Sequence, residues 1–351
     1  MIKIAMLVPS LKNVGPVRVA HDIITEILRK RSQDFYIEVF YFDSIGNVVF
    51  PCKSTKLNII NFYRLYSFDF VHSHMIRPDF INALLFLHKG KRLTTIHNIV
   101  ETDLYYSYGK IISFIFSRIW KCIWMLLDKK IVLTEVAKEY YINRMSFPLL
   151  SVQVVNNGVE PITKPESFDP EIYDAVTSFK RRGYRILGSV ALFNDRKGLE
   201  QVIDLLAIEK DFAYVVIGDG PSLEKLKNRA DQLGVSDRIF FSGFKDDGKK
   251  HIFLFDCYVM PSREEGFPLA LTEAISTGVV TACSDISVFK EILDVESTSY
   301  FELDNTESMA RAVHYALKNM NTISNHAKLK YLQGYTREIM AENYVKIYTA
   351  I

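Results

Sequence analysis

The stretch CYVMPSREEGFPLALTEAISTGVVTAC, residues 257–283, changes its pattern three times. CYVMP reads as a buried strand, SREEGF as a loop, PLALTEAIST as a helix with Pro268 at the first helical position, and VVTAC as a second strand. A strand, crossover helix and strand make a parallel pair, so the segment reads as one unit of a doubly wound α/β sheet. It also carries two carboxylates eight residues apart, Glu265 in the loop and Glu273 inside the helix. Between them, Gly266 permits close backbone approach, and the amides of Phe267, Leu269 and their neighbours at the helix start suit an anion such as a diphosphate. Ionised carboxylates accept from paired hydroxyls, as on a ribose or a sugar; the competing reading is two ordinary solvated glutamates.

Working outward, the pattern repeats. Residues 184–193, 212–218 and 238–243 read as further strands of the same sheet, and 2–8, 35–42, 69–74, 93–97, 130–134 and 151–155 as strands of another, with a helix over Pro16 to Arg31. Pro161, Pro165 and Pro170 fall between the two series. The expected organisation is a first Rossmann-like domain over 1–160, a linker over 161–182 and a second over 183–334. A terminal helix at about 335–351 packs back on the first. Two doubly wound α/β domains facing a central cleft bind ligands at the carboxyl ends of their strands.

The composition, 48% hydrophobic and 24% charged, is that of a globular protein. The four cysteines form no CxxC pair, which argues against a zinc site or disulfide framework and fits a reducing cytosol. The apolar start MIKIAMLV is short, leads into a polar loop without a cleavage site, and reads as a strand. The run Ile111–Leu127 is interrupted by Arg118 and Lys121 and is too short to span a bilayer. Residues 1–160 carry 20 Lys+Arg against 13 Asp+Glu, and the remainder 23 against 28. Either the basic half faces an anionic surface or ligand, or the split is chance. No nucleic-acid partner is expected.

The segment EGFPLALTEAISTGVV resembles the pattern EGFGLxxLEAMAxGxPV, with its ExxxxxxxE signature, of retaining glycosyltransferases of family 4, which have the GT-B fold. VPSLKNVGPVRVAHDI, DFVHSH, TIHN, VVNNGV and VIGDGPSLEKLKNRADQLGVSDRIFFSGF match that family's landmarks in order, over almost the whole chain. The resemblance implies transfer from a nucleotide-diphospho-sugar to a hydroxyl of a lipid-linked saccharide acceptor, in the synthesis of a bacterial surface polysaccharide such as O-antigen, capsule or exopolysaccharide. It makes Glu265, Lys197 and His97 the catalytic candidates. Lys197 stabilises the leaving diphosphate, Glu265 orients the sugar and His97 lies by the transferred group. Glu273 contacts the ribose, and Arg196, Asn194, Gly266, Phe267, Pro268, Leu269, Gly218 and Gly220 line the donor site. Gly15 and Asn13 form the acceptor or phosphate loop. No metal or other cofactor is expected, and no DxD motif ends a strand.

Two positions depart from that pattern. Leu192 stands where the family usually has an arginine, five residues before Lys197, and Val14-Gly15-Pro16 replaces a Gly-Gly. Arg196 or Asn194 is left to supply the missing contact. His72 and His74 share a strand face, but a metal pair is not the reading adopted. A helix over about Tyr105 to Leu127, basic and aromatic-rich, either lies in a membrane interface, making the protein peripheral on the inner face of the cell membrane, or is core. A non-catalytic GT-B scaffold and a GT-B nucleotide-sugar epimerase are the alternatives left open.

Overall fold

The computed structural model describes Met1–Ala350. The chain divides into two compact units, one of Met1–Val159 with the residues from Gly334 on, the other of Glu160–Gln333.

In the first unit, strands β1 (Ile2–Leu11), β2 (Phe35–Gly46), β3 (Ser54–Lys56), β4 (Phe70–His74), β5 (Lys91–Ile96), β6 (Lys129–Val132) and β7 (Val152–Val154) form one parallel sheet in the order β3-β2-β1-β4-β5-β6-β7. Helices α1 (Gly15–Arg31), α2 (Ile76–Ala83), α3 (Val100–Tyr108), α4 (Lys110–Met125) and α5 (Glu135–Glu139) connect them. Ile4 to Val8 of β1 are all buried, as a strand covered on both faces requires.

In the second unit, α6 (Pro170–Arg181) precedes β8 (Arg185–Val190), α7 (Glu200–Ile208), β9 (Phe212–Ile217), α8 (Leu223–Gln232), β10 (Ile239–Phe241), β11 (Cys257–Met260), α9 (Leu269–Thr277), β12 (Thr281–Ser284), α10 (Ser287–Ile292), β13 (Ser299–Phe301) and α11 (Thr306–Lys318). Its parallel sheet runs β10-β9-β8-β11-β12-β13. The chain then continues through α12 (Met320–Gly334) to α13 (Arg337–Ala350), which packs on α1. Each sheet reverses its strand order once, between β1 and β4 and between β8 and β11. Loops leaving such neighbours diverge to opposite faces and open a crevice at the strand ends.

Several sequence expectations change. Residues 161–182 are not a plain linker, because α6 lies within them. Asp169 caps it by accepting from the amides of Glu171 and Ile172, Pro170 begins it, and Ile172, Val176 and Phe179 are buried. The helix expected over 105–127 is two helices, broken at Gly109, whose φ of 82° a side chain rarely adopts. Strands β3 and β13, each only three residues long, are too short to show a period in the sequence. Pro268 is the N-cap of α9, one position before its expected place.

Candidate functional site

At the β8/β11 switch point the two loops are joined by an ion pair. Asn194 caps a short 3-10 turn, Asp195–Lys197, its side chain accepting from the Lys197 amide at 3.2 Å. That turn projects the Lys197 ammonium, which donates to Glu265 Oε1 at 2.6 Å; Ser262 Oγ donates to the same oxygen at 2.7 Å. Both charges are largely withdrawn from solvent, with Lys197 15% and Glu265 6% exposed. A pair so placed is strong only while its partners are satisfied, and either member is available to a ligand that offers a better one.

Arg263 ties the same loops together. Its amide donates to the Arg196 carbonyl at 2.8 Å, and its guanidinium meets Glu200 at 2.8 Å and Asp304 at 2.5 Å. Asn194 and Arg196 are therefore built into the support of the Lys197 turn. Leu192 is 59% exposed, an apolar side chain at the surface of this polar loop.

Gly218 and Gly220 form the wall behind the turn. A Cβ on Gly218 would stand 1.8 Å from the Ala191 carbonyl oxygen, and one on Gly220 would stand 2.4 Å from that of Phe193. The close approach lets the Phe193 amide donate to the Asp219 carbonyl at 2.8 Å. The next helix begins at Leu223, with Ser222 at its N-cap.

Glu273 lies buried in α9, where Lys249 Nζ reaches its Oε1 at 3.1 Å. Lys249, Ser262 and Arg263 carried no signal in the sequence reading: Lys249 lies in a lysine pair before a strand, with nothing in the spacing to link it to Glu273. Gly266, Phe267 and Pro268 are buried at the corner between the two glutamates. The Leu269 amide, expected to face an anion, donates instead to the Phe267 carbonyl at 3.0 Å. Pro268 forms no side-chain cap at the start of α9. The first turn thus keeps the partial positive end that an anion favours.

In the first unit, His97 follows β5 and joins a histidine cluster. His74 Nδ1 and His97 Nε2 are 3.0 Å apart, and the His72 and His74 rings lie tilted by 31° with their centroids 4.7 Å apart. His72 Nδ1 meets the Tyr348 hydroxyl at 2.6 Å and its Nε2 meets Thr95 Oγ1 at 2.8 Å; Thr95 also meets the Tyr344 hydroxyl. Burial pushes the pKa of His72 and of His97 down to about 3 and lowers that of His74 well below the usual range, so all three rings are neutral at pH 7. A cavity of about 80 Å³ is lined by Pro16, Met75, Thr95, His97, Asn98 and Trp124. Met75 leaves β4 with φ 74°, a conformation costly for a side chain, and turns the chain along this cavity. Gly15, expected in the preceding loop, is the first residue of α1, and Asn13 is exposed.

No group of three or more His, Cys, Asp and Glu is arranged to hold a metal ion among the described residues. No helix there is long and apolar enough to cross a membrane.

Two parallel α/β units with polar side chains at their strand ends match solved structures over the full chain. With a TM-score of 0.79 at 14% identity, covering 100% of both chains, the protein is similar to Anabaena Alr3699/HepE, solved in complex with UDP and glucose. The fold is GT-B. In sequence, residues 175–331 match the family Glycosyl transferases group 1. The chain is 31% identical to the O-antigen biosynthesis glycosyltransferase WclY of Escherichia coli over 99% of this chain and 98% of that protein. It is 22% identical, over 86% of this chain and 81% of the other, to the Escherichia coli UDP-Gal:alpha-D-GlcNAc-diphosphoundecaprenol alpha-1,3-galactosyltransferase. The chain belongs to the group 1 glycosyl transferases and is a glycosyltransferase.

Proposed function

We propose that this glycosyltransferase moves a sugar from a nucleotide-diphospho-sugar to a hydroxyl of a lipid-linked saccharide, with retention of configuration and without a metal, in the synthesis of a bacterial surface polysaccharide. The observation that carries the reading is the Lys197–Glu265 pair across the β8/β11 switch point. Transfer breaks the bond between the sugar C1 and the diphosphate oxygen and forms one from C1 to the acceptor oxygen. Negative charge therefore grows on the diphosphate, where Lys197 and the start of α9 stabilise it. Glu265, released by Lys197, accepts from the sugar hydroxyls, and Glu273 accepts from the ribose. Retention with no enzymic nucleophile follows if the acceptor attacks the face the diphosphate leaves and gives its proton to a phosphate oxygen. His97 hydrogen-bonds the transferred sugar or the acceptor, and the neutral ring suits that role. The relative named for a diphosphoundecaprenol-linked acceptor supports a lipid carrier, and the UDP complex of the structural neighbour supports a nucleoside diphosphate donor.

A membrane-facing surface fits such an acceptor. Helix α4 is inverted for a surface helix: Ser113, Ser117 and Trp124 are its buried residues, while Ile111, Phe114, Ile115, Phe116 and Ile119 are 43–76% exposed. The Ser113 hydroxyl donates to the Glu101 carbonyl, so the small polar residues serve packing and the large apolar ones meet the surroundings. A groove of about 570 Å³ beside them is flanked by Lys110 and Arg144. Apolar side chains bordered by cations suit the boundary of an anionic bilayer.

The test is a screen of UDP-, GDP-, ADP- and dTDP-sugars with EDTA present, following thermal shift and release of the nucleoside diphosphate. One donor is expected to stabilise the protein and to be consumed faster with a lipid-linked acceptor. Release of an isomerised sugar without acceptor would indicate an epimerase. No shift, no release and no transfer would indicate a non-catalytic scaffold, with the exposed Leu192 as its mark.

A further inference from the structure

The His74–His97 contact joins two neutral rings, so one nitrogen carries a proton and the other accepts it. Which is which follows from the far side of His74. The ring is fully buried, and its Nε2 has no hydrogen-bond partner in the protein. Had His97 Nε2–H donated to His74 Nδ1, the neutral His74 would carry its own proton on Nε2, leaving a buried N–H unsatisfied. Orphaned buried donors are rarer than orphaned acceptors, because the N–H loses its hydrogen bond to water with nothing in return. With the proton on His74 Nδ1, the buried orphan is only a lone pair. His97 Nε2 is then the acceptor, and the proton of His97 sits on Nδ1.

We propose that His74 is a positioning residue: it fixes His97 as the Nδ1–H tautomer, so that the ring presents a hydrogen-bond donor, and not a base, to a substrate oxygen in the cavity beside β4 and β5. The proposal rests on the glycosyltransferase reading of His97 and deepens it. A donor there holds a sugar or acceptor oxygen without removing its proton, which leaves the proton of the attacking hydroxyl to the departing phosphate. His72, its ring tilted against that of His74, is tied through its two nitrogens to Tyr348 and Thr95 and does not compete for His74 Nε2. The tautomer of His97 is thereby set by a residue 23 positions away that need not touch substrate.

The experiment is nitrogen NMR of the full chain with ¹⁵N-labelled histidine at neutral pH, assigning the rings by loss of signals in His97→Gln and His74→Asn. The expected result is His97 protonated at Nδ1 and bare at Nε2, with His74 also protonated at Nδ1. Protonation of His97 at Nε2, or an imidazolium, would overturn the proposal. In His74→Asn, whose amide can donate from the Nδ1 position, His97 keeps its tautomer; in His74→Leu it mixes or switches, and kcat falls about fivefold to tenfold, the loss of one hydrogen bond, with little change in donor KM. An unchanged tautomer in His74→Leu would remove the positioning role. If the tautomer is as expected but His97→Gln transfers sugar at the wild-type rate, the placement by His74 stands and the role of His97 in transfer falls.

Discussion

The two units carry polar groups at the same ends of similarly wound sheets, by opposite physical means. The first holds uncharged imidazoles: His72 and His74 are fully buried and His97 is partly exposed, with His72 held by the neutral hydroxyls of Thr95 and Tyr348 and His74 bonded to His97. The second buries charge and satisfies it, with Lys197 on Glu265 and Lys249 on Glu273. The difference matches the chemistry proposed for each. A diphosphate requires cations with anionic counterparts that can be handed to sugar hydroxyls, whereas positioning an uncharged hydroxyl needs oriented donors and acceptors with no net charge.

Breaking the charged side should produce the largest effect. Lys197→Ala is expected to lower turnover by about 10²–10³, the cost of removing one donor from developing negative charge, while thermal unfolding shows the fold intact. Turnover within threefold of wild type would remove Lys197 from the leaving-group site.

The exposed face of α4 belongs to the first unit alone and gives the next effect. Replacing Ile111, Phe114 and Ile115 together by serine is expected to weaken binding to phosphatidylglycerol-rich vesicles at least about tenfold, since each apolar side chain contributes on the order of 1 kcal/mol when half-buried. Sedimentation with phosphatidylcholine vesicles serves as the control. Equal sedimentation of wild type and variant would mean that these residues meet something other than lipid.

The uncharged side is sharpened by acid. The folded-state pKa values of His72 and His97, about 3, lie below the ordinary value of 6.5. The unfolded chain therefore takes up protons first, and stability is lost as pH falls from about 6.5 towards 3, by up to about 1.4 kcal/mol per pH unit for each ring. His72→Phe is expected to flatten that slope in chemical denaturation. Asp79 works in the opposite sense. It accepts from Ser73, Thr94 and Trp124 in full burial, and burial raises its pKa from the ordinary 3.8 to about 6. Its contribution is full below pH 3.8 and declines as pH rises through 6, so the stability gap between wild type and Asp79→Ala should narrow between those values. A gap that widened would mean a carboxylate stabilised as the anion.

The smallest effect is expected at Lys249. Without it Glu273 keeps its place in α9 but loses a cation, and Lys249→Ala should change donor KM about threefold and kcat little, the scale of one partly exposed ion pair. A loss as large as that of Lys197→Ala would move Lys249 to the diphosphate.

How much of this was legible follows from range. The strand-helix alternation and the 262–278 motif are local and were readable, as was the shared face of His72 and His74. The α6 helix was hidden by the run of Pro161, Pro165 and Pro170, although Asp169-Pro170 is itself a helix start. The inverted face of α4 was ambiguous because hydropathy cannot say which side of an apolar helix meets the protein; only Ser113 and Ser117, four apart beside Trp124, hinted at it. The pairing of Lys249 with Glu273, and of Arg263 with Glu200 and Asp304, depends on loops that meet only after the sheet forms.

The most direct test of the charged side is calorimetric titration of the donor's free nucleoside diphosphate, with EDTA present, into wild type and Lys197→Ala. The expected result is binding to wild type that weakens about tenfold or more in the variant, the loss of a charge-assisted contact. Equal affinity in the two proteins would contradict the assignment of the β8/β11 crevice as the diphosphate site.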